Sequence, residues 1–258
     1  MTLPYEFRKR IVEIRNDFTN GSSVIARNVL NLLTDAANYF NESNKINILV
    51  LANELLLAKP NMAAPTNILK IFINEFPKLS AKKEIANFLK NLESDMYRAS
   101  DKCINLTIEK LFKKENTSIL TCSYSSNVFN IIACAGIDLN VYVIQSIWND
   151  IDFSAIWLDK LKVLKVKCNV ILIDDNLPKI DFALIGADAV LYSGDIINGT
   201  PSLYLAQSIN KIGLPLFVVA ESFKKCKEIQ IADGFELIPK EFITEIITDN
   251  ITKNFKSD

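Results

Sequence analysis

The strongest constraint on the fold lies in DFALIGADAVLYSGDIINGTPSLYLAQSINKIGLPLFVVAESFKK, residues 181–225, where two short apolar runs bracket a helix-length segment. Phe182 to Ile185 stops at Gly186, and Leu216 to Ala220 opens after Pro215 and closes at Glu221. Short runs apolar at successive positions fit strands buried on both faces of a parallel sheet. Between them Leu203, Leu205, Ala206, Ile209 and Ile212 keep a helical period. This stretch therefore predicts strand, polar loop, helix, strand. Three of the chain's seven glycines, Gly186, Gly194 and Gly199, share one fourteen-residue window, marking backbone that turns tightly or approaches a ligand closely.

In open α/β sheets ligands sit in the crevice beyond the carboxyl ends of the strands, where Asp188, Ser193, Asp195, Asn198 and Thr200 fall in this reading. The same residue types are common turn and cap formers. On spacing alone, Ser202 reads equally as a helix N-cap and Asn198-Gly199 as a turn.

Downstream of Ser118, β-rich runs alternate with helix-length ones. Ile119 to Thr121, Val141 to Gln145 and Val170 to Ile173 predict strands, with helices over Val128 to Ala135 and Ala155 to Val163. Together with residues 181–225 they make a parallel sheet flanked by helices. Upstream, the first hundred residues are helical. Tyr5 to Ile14 begins the pattern. Gly21-Ser22-Ser23 then breaks it and caps a helix from Val24 to Phe40, with Ile25, Val29, Leu32, Leu33 and Ala36 on one face. Unpaired N–H groups at such a helix start also attract phosphate, the alternative reading of that turn. Ile46 to Ala58 and Asn67 to Phe76 follow, separated by Pro60 and Pro65, and then Ala81 to Met96. A further helix over Lys102 to Lys113, apolar at Ile104, Ile108 and Leu111, connects two domains, residues 1–113 and 114–258.

The 258 residues, 49% hydrophobic, can bury a sizeable core. A net charge of −1 leaves no basic footprint, so no direct nucleic-acid contact is expected. The chain has no histidine, which removes histidine-based nucleophile pairs and most zinc sites and leaves no metal site expected. No GxGxxG follows the first strand, so no cofactor is expected. The five cysteines show no CxxC spacing and read as reduced thiols, most of them buried. No apolar run approaches the ~20 residues of a membrane span, and MTLPYEFRKR lacks the apolar core of a signal peptide, so a soluble, cytoplasmic protein is expected.

GADAVLYSGDIINGTPS followed by LPLFVVAESFKK resembles the alpha, beta and delta regulatory subunits of translation initiation factor 2B and their archaeal relatives. That family includes sugar-phosphate isomerases acting on 5-methylthioribose 1-phosphate and on ribose 1,5-bisphosphate. NDFTNGSSVIAR and LAKPNMAAPTNIL are similar to parts of its N-terminal helical domain, and FELIPKEFITEIITDN to its closing segment. The resemblance covers most of the chain and is highest from Leu184 onward. It implies an α/β protein, a helical N-terminal domain followed by a Rossmann-like domain with a parallel sheet, and a homo-oligomer, specifically a homodimer through the latter domain. It also implies a translation initiation GTPase as partner and a cleft for a phosphorylated small molecule. The ligand-binding residues implied are Gly21, Ser22, Ser23, Thr121, Asp188, Asn198 and Lys224.

Departures from the family's pattern separate its two branches. The isomerases use a cysteine after the first strand of this domain and an aspartate matched by Asp195, because proton transfer between C1 and C2 needs an acid/base pair. Aligning ILTCSYSS with the isomerases' pattern places Cys122 at their histidine and Ser123 at their cysteine. A serine hydroxyl is a poor substitute for a thiol. Tyr124-Ser125 instead resembles the regulatory subunits. Where the family carries a phosphate-gripping arginine, this chain has Ile147 and Trp148, which cannot make that contact. The expectation is a regulatory or interaction protein. The alternative is an isomerase using Asp195 with Cys122 or Ser123.

Overall fold

The computed structural model describes residues 3–173 and 176–249. The chain divides into two compact units, Met1–Arg98 and Ala99–Asp258.

The first unit is built of helices α1 (Tyr5–Arg15), α2 (Ser22–Tyr39), α3 (Ile46–Leu56), α4 (Ala63–Glu75) and most of α5 (Lys82–Leu111). Ile25, Val29, Leu32, Leu33 and Ala36 of α2 are buried as their spacing predicts, among Ile48, Leu51 and Leu55 of α3 and Ile68 and Phe72 of α4. Pro65 does not separate two helices. It sits in the first turn of α4, where its missing N–H would have had no helical partner. The two helices expected on either side of residue 100 are one 30-residue helix. Neither glycine nor proline interrupts residues 82–111, so the lapse in apolar period near Tyr97 is not enough to end it.

In the second unit, β1 (Thr117–Cys122), α6 (Ser126–Cys134) and β2 (Leu139–Ile144) are followed by a two-residue ladder of β3 (Ile147–Trp148) and β4 (Ile151–Asp152). Next come α7 (Phe153–Val163), β5 (Lys167–Ile171), β6 (Phe182–Gly186), β7 (Ala189–Leu191), β8 (Ile196–Gly199) and α8 (Ser202–Lys211). The unit closes with β9 (Leu216–Val219), β10 (Lys225–Cys226), β11 (Phe235–Ile238) and β12 (Glu245–Ile247). The six parallel strands lie in the order β5-β2-β1-β6-β9-β12. Numbered along the chain, that is the 3-2-1-4-5-6 order of a doubly wound Rossmann sheet.

Alternation along β1 sends Leu120 and Cys122 to the core under α8, and Ile119 to the opposite core under α5, α6 and α7. Between β6 and α8 the expected polar loop is an antiparallel hairpin of β7 and β8, part of a second sheet ordered β10-β7-β8-β11. The closing segment supplies β12, parallel to β9, while its last residue Asn250 lies outside the described residues. Among the described residues no helix is long and apolar enough to cross a membrane.

Candidate functional site

The strand order reverses between β1 and β6, so the crevice of this sheet opens beyond their carboxyl ends. Two glycines there admit the chain's own side chains. A Cβ on Gly186, the last residue of β6, would lie 2.9 Å from Ser125 Cβ, and one on Gly199 would lie 2.7 Å from Ser123 Oγ. The glycine cluster thus serves close approach, but of neighbouring backbone and serines.

Cys122 is buried at the end of β1, with its Sγ 3.3 Å from Ser202 Oγ. Ser202 has one proton, and it goes to Gly199 O at 2.6 Å. Asn198 Nδ2 donates to the same hydroxyl oxygen at 2.8 Å, so the remaining bond must be donated by the Cys122 thiol. Burial pushes that thiol up to about 12, and the Glu236 charge adds to the rise, against the opposing Ser202 bond. Cys122 is a protonated donor inside a closed network. Ser123 leaves the strand with φ +50°, accepts the Trp157 indole N–H on its carbonyl, and lays its side chain against Gly199. Tyr124 packs edge-on to Trp157 at 5.3 Å, and Ser125 is the N-cap of α6.

Ser202 is not the N-cap of α8. It is the first helical residue, Pro201 is the cap, and Asn198-Gly199 is strand rather than turn, paired antiparallel with β11. The helix start is satisfied from elsewhere. Glu236 of β11 accepts the Leu203 amide at 2.8 Å on Oε2 and the Thr200 hydroxyl at 3.1 Å on Oε1. A carboxylate at a helix N-terminus is favoured by the macrodipole. The Thr200 amide donates to Gly234 O at 2.9 Å, and the Thr200 carbonyl accepts from Ser146 Oγ at 2.6 Å. Trp148 covers Gly234 (φ +79°), where an added Cβ would collide with the indole ring. Its indole N–H reaches Asp233 Oδ2 at 3.3 Å.

Asp195 lies in the β7–β8 hairpin. Its Oδ1 accepts the Lys240 amide at 2.9 Å and its Oδ2 the Ser193 hydroxyl at 2.7 Å. The Lys240 bond, seconded by Ser193, holds the carboxyl below its usual range. Asp195 is thus ionised and ties the hairpin to the turn Lys240–Phe242. Asp188 is buried just beyond β6, its amide donating to Ile197 O at 2.8 Å.

On the sheet's other face, Lys224 and Glu221 are both buried in the turn after β9, Nζ to Oε2 3.0 Å. Burial pushes the Glu221 carboxyl up, but the Lys224 ammonium, together with hydrogen bonds from the Asn127 side chain and the backbone, makes the net shift downward. Buried Asp249 accepts the Ser222 amide at 2.6 Å on Oδ1 and the Ser222 hydroxyl at 3.0 Å on Oδ2. Cys103 of α5 points its thiol at the same carboxylate, 4.0 Å away. Thr121 is wholly buried, and its hydroxyl has no hydrogen-bond partner among the described residues.

In the helical unit, Gly21 is the N-cap of α2 by backbone alone, accepting the Val24 and Ile25 amides at 3.0 and 3.2 Å, and no side chain caps the helix. Ser22 and Ser23 are buried in its first turn. The loop before it is pinned by Asp17, which accepts the Thr19 and Asn20 amides at 3.1 Å, and by Lys59, whose ammonium donates to Asp17 O at 2.7 Å.

Sequence reasoning missed Glu236, Glu221, Asp249 and the role of Ser202. The one available signal was a proline before α8 with no capping side chain, which leaves N–H groups needing a distant acceptor. None of the five cysteines is in a disulfide, but only Cys103 and Cys122 are buried, fewer than expected. Among the described residues no group of three or more cysteine, aspartate or glutamate side chains could hold a metal.

The fold and crevice define a class: a Rossmann-type α/β unit whose strand order reverses between β1 and β6, preceded by a helical unit. Within that class the chain belongs to the Initiation factor 2 subunit family, whose profile matches residues 19–246. It is 26% identical to a translation initiation factor eIF-2B subunit 2-like protein of Pyrococcus furiosus, over 96% of both chains. Its fold is that of the translation initiation factor eIF-2B of Pyrococcus horikoshii OT3, with TM-score 0.83, 19% identity and 96% of each chain covered. The eIF2B delta subunit of Chaetomium thermophilum matches with TM-score 0.79 at 14% identity, over 96% of this chain and 98% of that one.

Proposed function

We propose that this initiation-factor-2B-like chain is a regulatory or interaction protein whose sugar-phosphate or nucleotide cleft is vestigial. It works in the cytoplasm, where free thiols stay reduced, and assembles as a homo-oligomer, a homodimer through the α/β unit. Its partner is a translation initiation GTPase. The observation that carries the reading is the closed, buried network that holds Cys122 against Ser202. A thiol that donates to Ser202 and is pushed up to about 12 is not a nucleophile or a general base near neutral pH. Asp195 has both oxygens committed to the hairpin and its neighbouring turn, which leaves it a poor proton carrier for aldose–ketose chemistry.

Incubation with ribose 1,5-bisphosphate and with 5-methylthioribose 1-phosphate tests this against the isomerase alternative. No turnover is expected. Turnover that disappears in Asp195→Asn would overturn the reading and establish Asp195, with Cys122 or Ser123, as the catalytic set. The interaction role predicts that the tagged chain captures the purified initiation GTPase, and failure to do so at micromolar concentrations counts against it.

A further inference from the structure

Residues 232–238 are tied down at several points to the same small region. Gly234 O takes the Thr200 amide, Glu236 takes the Thr200 hydroxyl and the Leu203 amide, and Trp148 lies on Gly234 while bonding Asp233. Just upstream, residues 227–232 have no regular secondary structure, and Ile231 is 47% exposed. What this segment touches is the start of α8, and Ser202 at that start is the acceptor of the Cys122 thiol.

We infer that residues 232–238 form a strap shut over the carboxyl edge of the sheet, with Glu236 as its latch. Releasing the carboxylate frees the Leu203 amide and the Thr200 hydroxyl, and the β8–β11 ladder then peels from its Gly199–Phe235 end. That opening uncovers the Ser202–Cys122 pair. The strap rests on the cleft reading given above, since it names how that cleft is kept closed. A hydrogen-bonded patch of few anchors next to an irregular segment opens locally at lower cost than the whole domain unfolds.

Site-resolved alkylation of the folded protein with iodoacetamide, read by mass spectrometry, tests the latch. Cys103, wholly buried on the opposite face of the sheet, is the internal control. In Glu236→Ala, Cys122 should be modified about tenfold faster than in the unaltered chain while Cys103 keeps its rate. Should that variant fail to fold, Glu236→Gln, which keeps one acceptor, should give a smaller selective rise. An unchanged Cys122 rate in a folded variant overturns the inference. So does an equal rise at Cys103, which would mean global unfolding. The assay reads neither turnover nor partner capture, so its failure is distinct from failure of the regulatory reading.

Discussion

On the α8 side of the carboxyl edge the chain buries a thiol, a hydroxyl and an amide, whereas on the side of α5 and α6 it buries ions. The neutral network of Cys122, Ser202 and Asn198 closes on a backbone carbonyl and needs no counter-charge. The ionic one holds two carboxylates, Glu221 and Asp249, with one ammonium, Lys224. Each neutral bond is worth about 1 kcal/mol net, while an ion stripped of its partner inside a protein costs about 3–5 kcal/mol. The two sides should therefore tolerate damage very differently.

The sharpest break of that contrast is Lys224→Met, which leaves the Glu221 charge buried without its cation. Denaturant unfolding should show a loss of about 3–5 kcal/mol. Adding Glu221→Gln should recover at least half of it, because a neutral pair has no charge to desolvate. If the double variant is no better than the single, the pair is not the source of the loss.

The same pair sets an acid dependence. Glu221 has its folded carboxyl below the ordinary value of 4.5, so its contribution is present above that pH and is lost as pH falls through the folded value. Without Lys224, burial is opposed only by the Asn127 and backbone hydrogen bonds, so the Glu221 carboxyl rises and protonation costs the variant less than it costs the unaltered chain. The stability gap between Lys224→Met and the unaltered chain should narrow as pH falls from the variant's raised folded value to the lowered one of the unaltered chain. A gap that is flat with pH would show that Glu221 and Lys224 are uncoupled.

On the neutral side, Ser202→Ala removes the common acceptor of Cys122 and Asn198 and leaves Gly199 O unpaired. The expected cost is about 1–3 kcal/mol, below that of Lys224→Met. The smallest effect belongs to Asp195→Asn. Its bonds lie near the surface, so thermal unfolding should register a loss under about 1 kcal/mol.

The same contrast explains what could be read in advance. β6 and β9 were legible because their residues are apolar on both faces, and α2 because its apolar stripe is unbroken. The β7–β8 hairpin was not. Its residues mix apolar and turn-forming types, and Asn198-Gly199 is held extended by β11, a partner that is remote in sequence. The i,i+3 spacing of Glu221 and Lys224 was visible, yet nothing local says that both are sealed from water. Ser202 looked like a cap because its type and place were right, but Glu236 satisfies the helix start from 33 residues away. Asp195 matched the family's aspartate by position, and only the geometry shows its oxygens given to Ser193 and Lys240.

The approach of Cys103 to Asp249 joins positions 146 residues apart. At cellular translation speeds of ~5–20 residues per second, the first of these waits roughly 7 to 30 seconds for the second to be made. Until then α5 carries a bare sulfhydryl with the outermost sheet position beside β9 empty. The fifth parallel strand ends at Val219 and the sixth begins at Glu245, so at the same speeds the nascent polypeptide holds five strands without the sixth for about 1 to 5 seconds. Chaperone demand during synthesis should concentrate in that interval.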